Sequence, residues 1–197
     1  MDWDVEYPPV ASLCAEELSI LKSQLKLKIN TPLTSSMGRF FDAVAALCSV
    51  RQQVNYEAQA AIEFEALADR QEHGEYDFIV EPDGMSKGLS SQINTSPIIE
   101  NVLNDLHDQV PVSSVSARFH NTVARMVIKV CDQARHDHGV NQVVLSGGVW
   151  QNLTLLNRTC DLLSSVGFTV YIHHQVPTND GGLALGQALV AIHRMNA

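Results

Sequence analysis

Two short stretches of this 197-residue chain hold residue types suited to binding an anion. One is Ser146-Gly147-Gly148, which follows the apolar run Val143-Val144-Leu145 and precedes Asn152. The other is Pro177-Thr178-Asn179-Asp180-Gly181-Gly182. Each falls between an expected strand and an expected helix. Ligands of open α/β sheets bind beyond the carboxyl ends of the strands, where free N–H groups of the next helix favour negative charge. Neither stretch matches a dinucleotide fingerprint or a P-loop. Gly147 and Gly148 therefore have two readings, a tight turn or a backbone that a ligand approaches closely. Asn152 can cap the following helix or aim its amide at a ligand. Asp180, with Asn179 beside it, can cap its helix or hold a hard cation carrying ligand phosphates. Of the adjoining His173-His174 pair, at most one side chain can join a site, because neighbours in an extended segment face opposite ways.

A third feature lies on an expected helix that starts near Thr34-Ser35. Met37, Phe41, Val44 and Cys48 keep the spacing of a core face. The other side carries Ser35, Gly38, Asp42, Ala45 and Ser49, a stripe of small residues with one carboxylate. Close helix packing with a solvated Asp42 explains it, and so does a face kept low for a ligand.

These groups need elements to position them. Residues 10–30 read as a helix, with Leu13, Leu18, Leu21 and Leu25 apolar and a basic end that suits the helix dipole. Asn55 looks like the cap of a helix running to Asp69. Residues 75–96 read as a hairpin insertion, with a turn signal at Pro82-Asp83-Gly84. A short helix follows over 97–108 and a long one over 113–138. The long helix buries Val115, Phe119, Val123, Met126, Val130 and Ala134 and stops at Gly139. His136 and His138 are two apart and point away from each other, which disfavours a metal site there. The last third alternates strand 142–145, helix 151–165, strand 168–172 and helix 180–194, with Gly167 at a helix-to-strand turn. Such alternation implies parallel strands in an α/β layer. The expected organisation is one domain over 1–197: a helical part at about 10–70, the hairpin, and an α/β part over 97–197.

Composition excludes several classes. The formal charge is −9, which opposes non-specific binding to nucleic acid. No apolar run approaches the roughly 20 residues of a membrane span. The acidic start, Met-Asp-Trp-Asp-Val-Glu, does not read as a secretory signal, so a cytoplasmic location is expected. Cys14, Cys48, Cys131 and Cys160 form no C-x-x-C pair and are expected to be buried thiols, not a zinc site or disulfide framework.

Four stretches, in order, carry a resemblance: TSSMGRFFDAVAAL, YEAQAAIEFEALA, VVLSGGVWQN and VPTNDGGLALGQA. They are similar to the C-terminal carbamoyltransferase portion of the HypF hydrogenase maturation factors, over about residues 10 to 195. A more distant likeness is to the tRNA threonylcarbamoyl-transfer enzymes, against which the acidic charge balance argues. The resemblance implies an actin-like, sugar-kinase-like ATPase (ribonuclease H-like) α/β lobe with additional helices and a small hairpin. It implies ATP or carbamoyl-adenylate as ligand, a divalent metal ion, and carbamoyl transfer to the C-terminal cysteine thiol of HypE, on the way to the cyanide ligand of nickel–iron hydrogenase. It implies nucleotide contacts at Asp42, Gln59, Gly147, Gly148 and Asn152, and a metal ligand at Asp180 or Asn179. Two departures stand out. Ala58 occupies a place where the family motif leads one to expect glycine. The family's H-x-x-x-H metal pair, which belongs to the first lobe, is absent. The resemblance therefore covers the second lobe alone, half a cleft, with little activity expected by itself. An open cleft face would join the missing lobe or a second copy of the chain, and the alternative reading is a non-catalytic interaction module that pairs with another chain through that face.

Overall fold

The computed structural model describes residues 7–82 and 91–195. In place of one helix over 10–30 there are two, α1 (Pro8–Ala11) and α2 (Ala15–Leu27). The break has a local cause. Cys14 is extended, its Sγ accepts the Glu17 N–H at 3.5 Å, and the Glu17 carboxylate accepts the Cys14 N–H at 2.8 Å. This reciprocal box starts a new helix. Cys14 is thus an exposed cap, not a buried thiol, whereas Cys48 is buried as expected. α2 has no buried residue.

α3 (Met37–Leu47) begins one to two residues later than expected, because Ser36 supplies the cap, its Oγ accepting the Arg39 N–H at 3.4 Å. Phe41, Val44 and Cys48 are buried and Met37 packs beside them. α4 (Gln59–Ala66) is shorter at both ends than residues 55–69. Asn55 does not cap it. Ala58 stands at φ 60, in the left-handed region, so the helix cannot extend backwards through it. β1 (Ile79–Pro82) and β2 (Ser91–Asn94) form the expected antiparallel hairpin. The turn signal at Asp83 and Gly84 lies outside the described residues.

α5 (Ser96–His107) leads to the long α6 (Val112–His138), the spine of the fold. Its first half is enclosed by α4, α5 and α7 (Leu153–Ser165). Phe119 sits at the centre, with Phe40, Phe41 and Phe64 at ring-centroid distances of 5.1, 4.8 and 6.0 Å. Val115, Val123 and Met126 are buried, but Val130 is 44% exposed and Ala134 only half-buried, so the expected stripe outruns its cover. Gly139 ends α6 at φ 69, as expected.

β3 (Gln142–Leu145) and β4 (Thr169–Ile172) are parallel, Leu145 opposite Ile172, with α7 crossing between them. One face, with Val143, Leu145, Val170 and Ile172, packs with Leu163 and Phe168. On the other, Val144 is 66% and Tyr171 48% exposed. The expected helices at 151 and 180 begin as 3-10 turns, Gly148–Gln151 and Asp180–Gly182, before α7 and α8 (Leu183–Met195). α8 has no buried residue. No helix among the described residues is long and apolar enough to cross a membrane.

Candidate functional site

The two glycine-bearing loops meet beyond the carboxyl ends of the parallel strands. Gly147 N–H donates to Thr178 O at 2.8 Å, and Thr178 Oγ1 donates to Gly147 O at 3.2 Å. Gly147 has φ 113 and ψ 160, a conformation open to glycine, while a Cβ there would meet nothing within 4 Å. Backbone shape, not a close neighbour within the chain, requires that glycine. Gly182 is the reverse case: a Cβ would lie 2.4 Å from Pro177 O. Gly148 needs neither reason, since its Cβ would stand 3.8 Å from Asn179 Cβ, an ordinary contact.

Between these loops and α8 runs a groove of about 700 Å³, with Gly147, Asn179 and Asp180 on its wall. That size suits a nucleotide-scale ligand. His173 lines it and His174 does not, and His173 Nε2 lies 3.0 Å from Ser146 Oγ. Arg194, from the last turn of α8, also faces the groove, a cation the sequence reading did not single out. Asn179 caps the 3-10 turn, its Oδ1 accepting the Gly181 N–H at 3.0 Å. The exposed Asp180 carboxylate makes no hydrogen bond or ion pair with any described residue. Among the described residues no group of three or more His, Cys, Asp or Glu stands ready for a metal ion. A lone carboxylate with phosphate oxygens and waters is nevertheless a donor set that suits a hard cation such as magnesium.

The groove wall does not include Asp42, Gln59, Gly148 or Asn152. Asn152 is a helix cap: its Oδ1 accepts the Leu155 N–H at 2.8 Å. Its Nδ2 lies 2.8 Å from Nε2 of His120, which is fully buried. His120 Nδ1 lies 2.7 Å from Ser116 O. Burial pushes the His120 pKa down to about 4, with the Arg158 charge acting the same way, so the ring is neutral near pH 7. The Phe41 ring meets the His120 ring edge-on at 5.0 Å, and Asp42 is the next residue along α3. Asp42 is half-buried, 4.0 Å from Arg39 Nη1. In its small-residue stripe Ala45 is fully buried, so that part of the stripe serves packing.

Gln59 is buried with both ends of its amide engaged. Oε1 accepts the Asn55 N–H at 2.8 Å and Nε2 donates to Glu63 at 2.9 Å. Glu63 in turn takes a two-pronged contact from Arg51, at 2.8 and 2.6 Å. Gln59 thereby pins residues 51–58 onto α4. His120 was not singled out from the sequence; its signal is a polar residue directly after Phe119 and four after Ser116 on the buried face. Glu65 was missed too. Its carboxylate accepts the Thr154 N–H at 2.8 Å, where negative charge suits the first turn of α7.

The family model for the carbamoyltransferase Kae1-like domain, second subdomain, matches residues 2–187. The chain is 31% identical to carbamoyltransferase HypF2 of Cupriavidus necator, over 89% of this chain and 24% of that protein. It is 32% identical to carbamoyltransferase HypF of Synechocystis sp., over 86% of this chain and 21% of the relative. Among solved structures, full-length HypF in its phosphate- and nucleotide-bound form superposes with a TM-score of 0.88 at 41% identity, over 96% of this chain and 24% of that one. The chain thus spans less than a quarter of the length of these proteins.

Proposed function

This chain belongs to the HypF carbamoyltransferase family, as the second subdomain of the Kae1-like domain, and from that membership we propose that it forms one wall of a carbamoyl-transfer site. The groove between the zipped loops and α8 takes the adenylate end of ATP or carbamoyl-adenylate. What supports this most is the meeting of both glycine loops, the start of α8 and a carboxylate without partners among the described residues. The N–H groups of Gly181, Gly182 and Leu183 are held within the turn by Asn179 and Asp180, so the dipole of α8 is what favours the phosphate, and Arg194 adds positive charge. Asp180, not Asn179, holds a divalent cation, since the Asn179 oxygen is already engaged by Gly181. Such a cation supplies Lewis-acid polarisation and charge neutralisation.

The chain's own groups bind and orient; the nucleophile comes from outside. The thiolate of the HypE C-terminal cysteine attacks the carbamoyl carbon. A sulfur–carbon bond forms, the carbon–oxygen bond to the adenylate phosphate breaks, and AMP departs with the electron pair. The thiol proton goes to solvent. Cys48 takes no part, because burial pushes its thiol up to about 12. The product continues to the cyanide ligand of a nickel–iron hydrogenase.

A specific observation also favours a large partner. Leu185, Leu189 and Ile192 of α8, outside the groove wall, are between 49% and 59% exposed, an apolar face that monomers rarely leave open. The first lobe of the same domain is the occupant proposed, with a second copy of this chain as the alternative.

Calorimetry with ATP and magnesium tests the reading, on wild type, Asp180→Ala and Asp42→Ala, with the remainder of a HypF protein supplied. Asp180→Ala weakens magnesium-dependent binding by about 10-fold, as expected for a lost charged contact. Equal heats for wild type and Asp180→Ala, or none for wild type, would count against the site.

A further inference from the structure

The polarity of the contacts around Asn152 can be deduced from two backbone groups. The Leu155 N–H can only donate, so the amide atom it meets is the Asn152 oxygen. The amide nitrogen is then the atom 2.8 Å from His120 Nε2, which must be bare and accept. The ring proton is left on Nδ1, where Ser116 O, which can only accept, receives it at 2.7 Å. A fully buried ring thus transmits a fixed direction from one helix to another. One Asn152 N–H remains, and no described residue accepts it. Asn152 itself is half-buried and ends the 3-10 turn that begins beside the Gly147 loop.

We infer that His120 is a positioning residue that holds the Asn152 amide with its N–H presented, so that Asn152 recognises a ligand atom that accepts a hydrogen bond. This rests on the nucleotide reading above. The acceptor is an oxygen or ring nitrogen of the nucleotide, or the carbamoyl oxygen. A flipped amide would oppose an N–H to the Leu155 N–H and leave His120 Nε2 facing a carbonyl oxygen. Neither is tolerable for groups out of water.

ATP affinity is measured for wild type, His120→Leu, His120→Gln, Asn152→Ala and the His120→Leu/Asn152→Ala double variant, with thermal melting in parallel. His120→Leu keeps bulk and removes the acceptor, and is expected to weaken binding about 5-fold. His120→Gln can place its oxygen near the lost nitrogen and should recover affinity to within about 2-fold. In the Asn152→Ala background, His120→Leu should change affinity no further. An equal loss in both backgrounds would mean a general structural role and overturn the inference. Where His120→Leu fails to fold, long-range proton–nitrogen NMR on the wild-type chain decides. A proton on Nδ1 with bare Nε2 supports the inference; a proton on Nε2 overturns it. If wild type binds no ATP even with the rest of the protein present, the nucleotide reading falls. The inference then falls as to ligand recognition, while the NMR result still decides the amide orientation.

Discussion

The two ends of this lobe are built on opposite terms. Around Phe119, α3, α4, α5, α6 and α7 enclose one another, and Phe41, Val44, Phe64, Ile98 and Leu155 have 1% or less of their surface exposed. At the other end, α8 buries nothing and the outer face of β3 and β4 is open. Both regions carry the apolar spacing of a core-facing element, so spacing does not distinguish them. The difference lies in what covers them. The groove sits at this boundary, with one wall anchored through β3 to the packed half and another formed by a helix that lacks its own core.

The contrast is sharpest in paired truncations. Phe119→Ala should destabilise the chain by about 4 kcal/mol, while Leu189→Ala in α8 should cost less than about 0.5 kcal/mol. Urea unfolding measures both. Similar losses would mean that α8 is covered in solution and the contrast is wrong.

A second effect belongs to the packed half alone. The His120 pKa is depressed from 6.5 to about 4, so the unfolded chain takes up the proton first as pH falls. The contribution is fully present above about pH 6.5 and is lost progressively towards pH 4. Its size is on the order of 3 kcal/mol. Unfolding curves of His120→Gln between those pH values should therefore be flatter than those of wild type. Parallel slopes would mean that His120 is not held neutral by burial.

At the boundary, the two adjacent glycines should separate. Gly147→Ala imposes a side chain on a backbone at φ 113 and should cost about 2 kcal/mol. Gly148→Ala should stay within about 0.5 kcal/mol. Equal costs in thermal melts would show that both positions are held by something other than backbone shape.

The smallest effect concerns Ala58, at φ 60. Ala58→Gly relieves the left-handed strain, is partly offset by chain entropy, and should stabilise the lobe by about 0.5–1 kcal/mol. A destabilised variant would mean that the Ala58 methyl makes a contact worth more than the strain. The sequence departure at this position thus has a backbone consequence, beyond the size of any pocket beside it.

Much of this architecture was legible from local pattern. The parallel pair around residues 142–145 and 169–172, the stop of α6 at Gly139 and the core face of α3 all follow from alternation, helical spacing and turn glycine. The features that escaped depend on partners distant in the chain. Nothing near His120 says that Asn152 will meet it 32 residues later. Gly147 and Gly148 look alike as letters, and only the observed φ separates them. Cys14 sits in an apolar pattern, but its cap role depends on Glu17 turning back to it. Of the candidate residues, Gly147, Asn179 and Asp180 share the groove, whereas Gln59 and Asn152 lie outside its wall and are engaged by other protein groups.

The central claim is that the nucleotide lies against the zipped loops. Backbone amide NMR of the labelled chain, with the remainder of a HypF protein supplied and titrated with millimolar ATP and magnesium, tests it most directly. Shifts are expected at residues 146–148, 152, 178–183 and 194, with α2 and the hairpin unchanged. No shifts at the two loops, or shifts clustered on α2 instead, would contradict it.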